Sequence, residues 1–533
     1  MTCRWADGHS TIDLVPVLSW RAVARDPWLY GLAVFSVIYC IPAFRLVASL
    51  SDEGIILHGA ARLLEGQVLY RDFFEIIGPG TFLVSAAWLK IFGSSFAAIR
   101  VLSVAAVTLI AILIYLTARA VSAHRAIALA LALVFLVKAP QDLNHHWFTT
   151  AAAMAAALGL VTSIHSGRFL WLACFTTGVF AGVATMFTQS RGGVLVVGIL
   201  AALLTLPDRK RRLGWTAAGM TVAPAAAALY LASVGALRAA IEETLIFPSR
   251  RYSAIQAVPF GAFGSFEDAG IVVFVPLTLL LALVTLRAEF RRPEFRVLLV
   301  LAVIALIGAY PRPDVTHLTY VMALATPMCA LALTALLHRL EGRYRLTLIA
   351  ALIGVCLWHV GSSVAGRISM ARTPRQEIAT ARGTVERYQD FWARDFAWLV
   401  AGIQEHTTPA DGFFFYPNMP LVPYLTARHH IARLDVMMPS YTTVDQFRDV
   451  CAQVIAKAQW VVIDRLWIQP ANLLVIHPAM ADPNPPEKQA FEAVLMKGFA
   501  RIATSSHFEV RQRTPAAVPS LCGGIGGATV AQR

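Results

Sequence analysis

The chain has 533 residues, 57% of them hydrophobic and only 14% charged. Soluble domains run at roughly 45–50% apolar and about 25% charged, so a purely soluble enzyme is excluded and a polytopic membrane protein is expected. The net charge of +13 would suit nucleic acid, but the basic residues are dispersed among short loops between apolar runs, which argues against that partner.

Residues 1–27 lean polar and show no cleavable signal; the apolar run that follows is long enough to be retained as an anchor. A spanning helix needs about 20 mainly apolar residues. Eleven stretches approach this, near 28–47, 94–118, 126–141, 148–164, 169–188, 193–207, 214–234, 270–287, 297–310, 318–337 and 345–364. Basic residues gather in every second loop: Arg21 and Arg25; Arg119 and Arg125; Arg168; Arg209 to Arg212; Arg287 to Arg296; Arg339 to Arg345. By the positive-inside rule those loops are cytoplasmic, which puts the N-terminus inside and the C-terminal region outside.

The first external loop, residues 48–93, is chemically unusual. Five acids, Asp52, Glu53, Glu65, Asp72 and Glu75, fall between residues 52 and 75, and the following stretch to Ile241 adds only Asp142 and Asp208. Carboxylates at the membrane surface can serve as a general base without lying in hydrocarbon. Acids at a helix start are also favoured by the dipole alone, so position by itself leaves both readings open. From Glu53 to Glu65 the apolar residues Leu57, Ala60, Ala61 and Leu64 recur at helical spacing, with His58, Arg62 and Glu65 opposite and Gly66 as a stop. The spacing predicts an amphipathic helix lying flat on the outer membrane surface. Gly78-Pro79-Gly80 breaks the chain, and 81–92 reads as a second short helix.

Later external segments carry cations. QSRGG at 189–193 is read as the outer end of a span, with Arg191 beside a glycine pair that lets backbone approach a ligand. A longer loop at 237–269 carries Glu242, Glu243, Arg250 and Arg251. YPRPDVTHLTY at 310–320 places Arg312, Asp314 and His317 together. His145 and His146 are read as loop residues lining a cavity; no acid or cysteine follows at ligand spacing, so no metal set is expected.

Past residue 364 the composition becomes that of a soluble domain, taken as 365–513. FFFY at 413–416 and WVVID at 460–464 read as buried strands, with a helix over Val444–Ala458 between them. The tail, 514–533, rich in Gly, Ala and Pro, reads as disordered. Of seven cysteines, Cys451 and Cys522 lie in this exported region, where a disulfide is permitted; their spacing leaves the pairing open.

The order of a span, Asp52-Glu53, a helix closed by Gly66, Tyr70-Arg71-Asp72, Gly78-Pro79-Gly80, Phe92-Gly93-Ser94 and Arg100 resembles glycosyltransferase family 39. That family includes protein O-mannosyltransferases and the aminoarabinose transferase of lipid A. The resemblance implies a polytopic α-helical GT-C-like fold over 28–364, with about eleven transmembrane helices and a C-terminal periplasmic α/β domain. It implies a bacterial inner-membrane enzyme moving a sugar from a polyprenyl-phosphate donor to a lipid, glycan or protein acceptor. In the family the first acid of this loop is taken as the base, a role that maps onto Asp52, with Glu53 holding the acceptor, or a divalent cation if one is used. Arg-Pro-Asp-x-x-His at 312–317 resembles a motif of bacterial members.

One departure matters. Family members often have Pro-Pro where this chain has Gly78-Pro79, and a phosphate-binding lysine can precede it where this chain has Ile77. The donor phosphate is therefore expected to meet Arg71, Arg191, Arg312 or His317, since charge-assisted bonds suit it. His58, Arg62, Asp72, Glu75 and Asp314 are expected to support the site or the acceptor. The alternative is a polyprenyl-lipid flippase or transporter without transferase chemistry. Transporters place ionisable groups near the bilayer midplane, whereas here the charges cluster at one face.

Overall fold

The computed structural model describes residues 20–122 and 124–526. Each of the eleven apolar stretches falls on a helix, from Pro27–Cys40 to Gly342–Arg372. In a bilayer the backbone must satisfy its own hydrogen bonds, and a helix does so within one segment. Among the described residues six helices are long and apolar enough to cross a membrane: Phe96–Val121, Gly167–Phe187, Arg209–Ser233, Phe266–Thr285, Val315–Arg339 and Gly342–Arg372. Pro27–Ala43, Pro79–Phe92 and Gln189–Leu204 are shorter apolar helices. The helix Val315–Arg339 is central, with 89% of its apolar window buried, whereas Gly342–Arg372 has 0% buried and lies at the periphery.

Contacts between connecting segments sort them into two ends. Ser122 bonds Thr334 at 2.7 Å, Arg212 donates to the Ser163 carbonyl at 3.0 Å, and Arg296 donates to the Thr205 carbonyl at 2.7 Å. These basic loops therefore share one end of the bundle. The acidic loop, Asp142, Gln189 and the 310–320 segment meet at the other.

The C-terminal region opens with the hairpin β1 (Arg375–Thr380) and β2 (Gly383–Tyr388). The helix before it runs on to Arg372, past the expected span end. A five-stranded sheet follows, built from β3 (Gly412–Tyr416), β4 (His429–His430), β5 (Trp460–Asp464), β6 (Phe499–Thr504) and β7 (Phe508–Arg513). Its order is β4-β3-β5-β7-β6. β3 and β5 are parallel and joined through the helix Val444–Lys457, as a parallel pair requires a crossover. Alternation along β3 serves two cores. Phe414 and Tyr416 pack with Phe447, Val450 and Phe491 on one side, and Phe413 and Phe415 join the core that continues into the membrane helices.

The tail departs from its expected disorder as far as it is described. A 3-10 turn, Pro519–Gly524, docks on the helix Val444–Lys457, and Cys522 is bonded to Cys451. Residues 527–533 lie outside the described residues.

The acidic helix, Asp52–Leu64, ends at the Gly66 stop, where φ is +90°. Its polar face is not left to solvent. His58 and Arg62, on the face expected to meet solvent, are buried beneath the C-terminal domain, while Ile56, Leu57 and Ala60 face the bundle core; Glu65 alone of that polar face stays exposed.

Candidate functional site

Asp52 is the first residue of the acidic helix, and its N-cap, Ser51, makes no side-chain cap bond. Asp52 remains accessible, with Ser51 Oγ at 3.4 Å. Protein encloses its remaining sides. That enclosure removes enough water to raise its pKa above the ordinary carboxylate range; the charge of Asp142 adds to the rise, and the Ser51 hydroxyl and Arg312 counter it. A carboxylate open to a ligand and more basic than usual is suited to taking a proton.

Glu53, the next residue, is differently placed. It is buried, it receives Arg100 Nη2 at 2.8 Å, and its second oxygen accepts the Leu143 N–H at 3.1 Å. Burial raises its pKa to about 7 against the pull of Arg100. Both oxygens are thus engaged by protein. Arg100 also donates to the Leu46 and Gln141 carbonyls at 2.7 and 2.9 Å. The Glu53–Arg100 pair therefore ties the start of the acidic helix to the 141–143 loop and sets Asp142 near Asp52. Asp142 is a site residue the sequence reading missed. Its signal was rarity, as one of two acids between Ile76 and Ile241.

The cationic side comes from two other elements. Asp314 caps the helix Val315–Arg339, accepting from the His317 N–H at 2.8 Å and from the His317 ring at 2.7 Å. Arg312 donates to Asp314 at 2.8 Å, to Gln256 at 2.6 Å and to the Ile476 carbonyl at 3.2 Å. Burial opposes ionisation of Asp314, but His317 and Arg312 prevail and hold it below the usual range. Arg191 lies in the first turn of the helix Gln189–Leu204, so QSRGG starts a helix rather than ending one. Its Nε donates to the Gly308 carbonyl at 3.2 Å and its guanidinium stands over the Tyr320 ring, 5.3 Å from the centroid. Arg191 Nη1 is buried without a hydrogen-bond partner. It borders an apolar pocket lined by Thr149, Ala153, Leu195, Ile304 and Leu324.

Asp52, Asp142, Arg191, Arg312 and Asp314 lie within electrostatic reach of Tyr252 or Tyr320, which groups them in one neighbourhood. His145 and His146 open the helix His145–Ser163 instead of lying in a loop, and the His146 ring packs 5.1 Å from that of His317. Among the described residues no group of three or more histidine, cysteine, aspartate or glutamate side chains is arranged to hold a metal ion.

The remaining expected residues stand elsewhere. Arg71 and Asp72 pair with each other at 2.9 Å on the surface, Asp72 also accepting from the Val68 N–H at 2.7 Å. His58 and Arg62 bind Asp435 of the C-terminal domain. Glu75 is buried near Glu243, Asp435 and Arg62, with burial the main reason its pKa is raised.

Gly78 accounts for the departure from Pro-Pro. A Cβ there would lie 2.1 Å from the Met186 carbonyl oxygen, so the end of the helix Leu170–Phe187 presses on this turn with no room for a side chain. Ile77 instead offers its carbonyl to the Tyr70 hydroxyl at 2.7 Å.

Residues 78–235 match the family model described as dolichyl-phosphate-mannose-protein mannosyltransferase. No curated protein sequence gives a significant match. The structure of ArnT from Cupriavidus metallidurans bound to undecaprenyl phosphate is similar with a TM-score of 0.55 at 13% identity, covering 92% of this chain and 99% of that one. Its apo form gives 0.52 at 13% identity, covering 93% and 98%. At this identity the likeness is one of fold. The chain has the GT-C fold of the membrane glycosyltransferases and, across residues 78–235, the sequence pattern of their mannosyltransferase family.

Proposed function

We propose that the protein is a membrane glycosyltransferase that moves a sugar from a polyprenyl-phosphate carrier to a hydroxyl of a cell-envelope acceptor. The observation that carries this reading is that an accessible Asp52 and Arg191, whose Nη1 has no hydrogen-bond partner, both lie within electrostatic reach of Tyr252 and Tyr320. Asp52 takes the proton of the acceptor hydroxyl. The oxygen forms its bond to the anomeric carbon while the bond from that carbon to the phosphate oxygen breaks, and the phosphate leaves with the electron pair. Arg191 meets the growing negative charge, with His317 beside it. Arg312, engaged by three acceptors, shapes this wall more than it binds.

A polyprenyl-phosphate donor is supported by the undecaprenyl phosphate named for the similar ArnT structure. The apolar pocket beside Arg191 suits the start of an isoprenoid tail. The site end is read as facing the periplasm, because the basic loops share the opposite end and the C-terminal domain carries a disulfide.

The test is transfer of label from radiolabelled polyprenyl-phosphate sugars to the envelope fraction by the purified protein and its Asp52→Asn variant. Full activity in the variant would sink the mechanism. Movement of the lipid across vesicles with no acceptor and no transfer would favour the flippase reading.

A further inference from the structure

The acidic helix is gripped by the C-terminal domain at two separate places. Near Asp52, the Leu421 N–H donates to the Leu50 carbonyl at 3.0 Å. The same residue lies so close to Gly54 that a Cβ there would fall 2.2 Å from the Leu421 nitrogen. Farther along, His58 Nδ1 meets Asp435 Oδ2 at 2.8 Å and Arg62 Nη1 meets Asp435 Oδ1 at 2.9 Å. Arg62 Nη2 also donates to the Ala432 carbonyl at 3.2 Å. All three side chains are at most 6% exposed. A carboxylate only accepts, so His58 carries its proton on Nδ1.

The geometry of the helix gives these grips leverage. At 1.5 Å per residue, His58 and Arg62 stand about 9 and 15 Å along the axis from Asp52, one turn apart on the same face. One contact beside Asp52 would leave the helix free to tilt about it. A second, well beyond, fixes tilt and roll together. Asp435 is itself anchored, since Asn418 bridges Val436 and the Met437 N–H donates to the Pro417 carbonyl at 2.8 Å.

We infer that Asp435 is a positioning residue for Asp52, acting through His58 and Arg62, so that the C-terminal domain is a working part of the transfer site. The inference rests on the transferase reading above. Asp435 touches no reacting atom. Its role is to hold the first residue of the helix at the distance and angle from the donor that proton removal needs, where a misplacement of about 1 Å can cost roughly 100-fold in rate.

The experiment compares the full-length wild type with Asp435→Asn and with Asp395→Asn. The latter breaks a second ion pair of the same domain, His507 with Asp395 at 2.6 Å, which does not touch the acidic helix. His58→Gln serves as a milder variant should Asp435→Asn fold poorly. Transfer from radiolabelled polyprenyl-phosphate sugars is resolved into kcat and KM, and hydrogen exchange is followed over residues 50–65 and 96–121. For Asp435→Asn we expect kcat to fall at least tenfold, donor KM to change less than threefold, and exchange to rise over 50–65 alone. Asp395→Asn should lower the unfolding temperature and leave kcat within twofold. Equal loss of kcat in both variants, or unchanged exchange over 50–65 in Asp435→Asn, would overturn the inference. If the wild type transfers nothing, the transferase reading falls and takes the catalytic purpose of the clamp with it; a rise in exchange would then still show a clamp.

Discussion

Glu53 and Arg100, separated by 47 positions in sequence, meet at 2.8 Å in a site where neither side chain is more than 4% exposed. Through this pair the residue beside Asp52 is joined to the loop that carries Asp142. Removing one partner of a buried ion pair strands the other charge, at a cost of about 3–5 kcal/mol. Arg100→Met should therefore lower stability strongly. Its pH dependence follows from Glu53. The folded-state pKa, about 7, lies above the unfolded value of about 4.3. The stability linked to its protonated form is thus full below about 4.3 and is lost as pH rises through 7. Without Arg100 the folded value climbs further and the loss extends to higher pH. Thermal unfolding in detergent should show a modest deficit at pH 5 and a large one at pH 8; an equal deficit at both would refute the assignment.

Asp52 must be ionised to accept a proton, so transfer should fall as the medium is acidified, with a midpoint above the unperturbed value of about 3.9. The negative charge of Asp142 disfavours ionised Asp52. Asp142→Asn should accordingly move the midpoint of the pH–rate profile to lower pH. A midpoint that stays in place would mean that the two carboxylates do not sense each other.

The two arginines of the cationic wall predict different phenotypes. Arg191 has an N–H to offer, and a hydrogen bond to a charged group contributes about 1.5–3 kcal/mol. Arg191→Ala should weaken undecaprenyl phosphate binding by roughly ten- to a hundredfold with little change in unfolding temperature. Arg312 holds Gln256, Asp314 and Ile476, so Arg312→Ala should act first on stability. Binding titrations alongside thermal melts separate the two outcomes.

Gly78 sits against the Met186 carbonyl. Gly78→Ala must push two backbones apart, and overpacking of this kind costs about 1–3 kcal/mol. A melt equal to wild type would show that the turn is looser than described.

The disulfide from Cys451 to Cys522 spans a sequence separation of 71. In the chain-entropy description a loop of that length contributes about 4 kcal/mol. A Cys451→Ser/Cys522→Ser variant should lose stability in the C-terminal domain, and reductant should destabilise the wild type but not the variant.

How much of this was legible in the sequence depends on the range of the interaction. The apolar stretches, the strands at 413–416 and 460–464 and the helix from Val444 are local patterns, and each lies on the expected kind of element. The acidic helix was legible too, with its stop at Gly66. What covers it was not. His58 and Arg62 look like a solvated face because their partner, Asp435, lies more than 370 positions away. The same holds for Arg312, whose third acceptor is the Ile476 carbonyl. Amphipathic spacing shows that a face is polar; it does not show whether water or another carboxylate meets it. Asp142 was visible only as a rarity, since nothing local announces that Ser103 and Arg100 hold its loop.

The contact of Leu421 with Leu50 and Gly54 also bears on when the protein becomes competent. A ribosome delivers Asp52 early and Leu421 and Asp435 late, after every membrane helix has been made. During that interval the half-made chain has the Glu53–Arg100 pair at the start of the acidic helix but lacks the grip of Leu421 and Asp435. If the proposed transfer depends on that grip, a chain truncated just after Arg372 should insert in the membrane yet transfer no sugar.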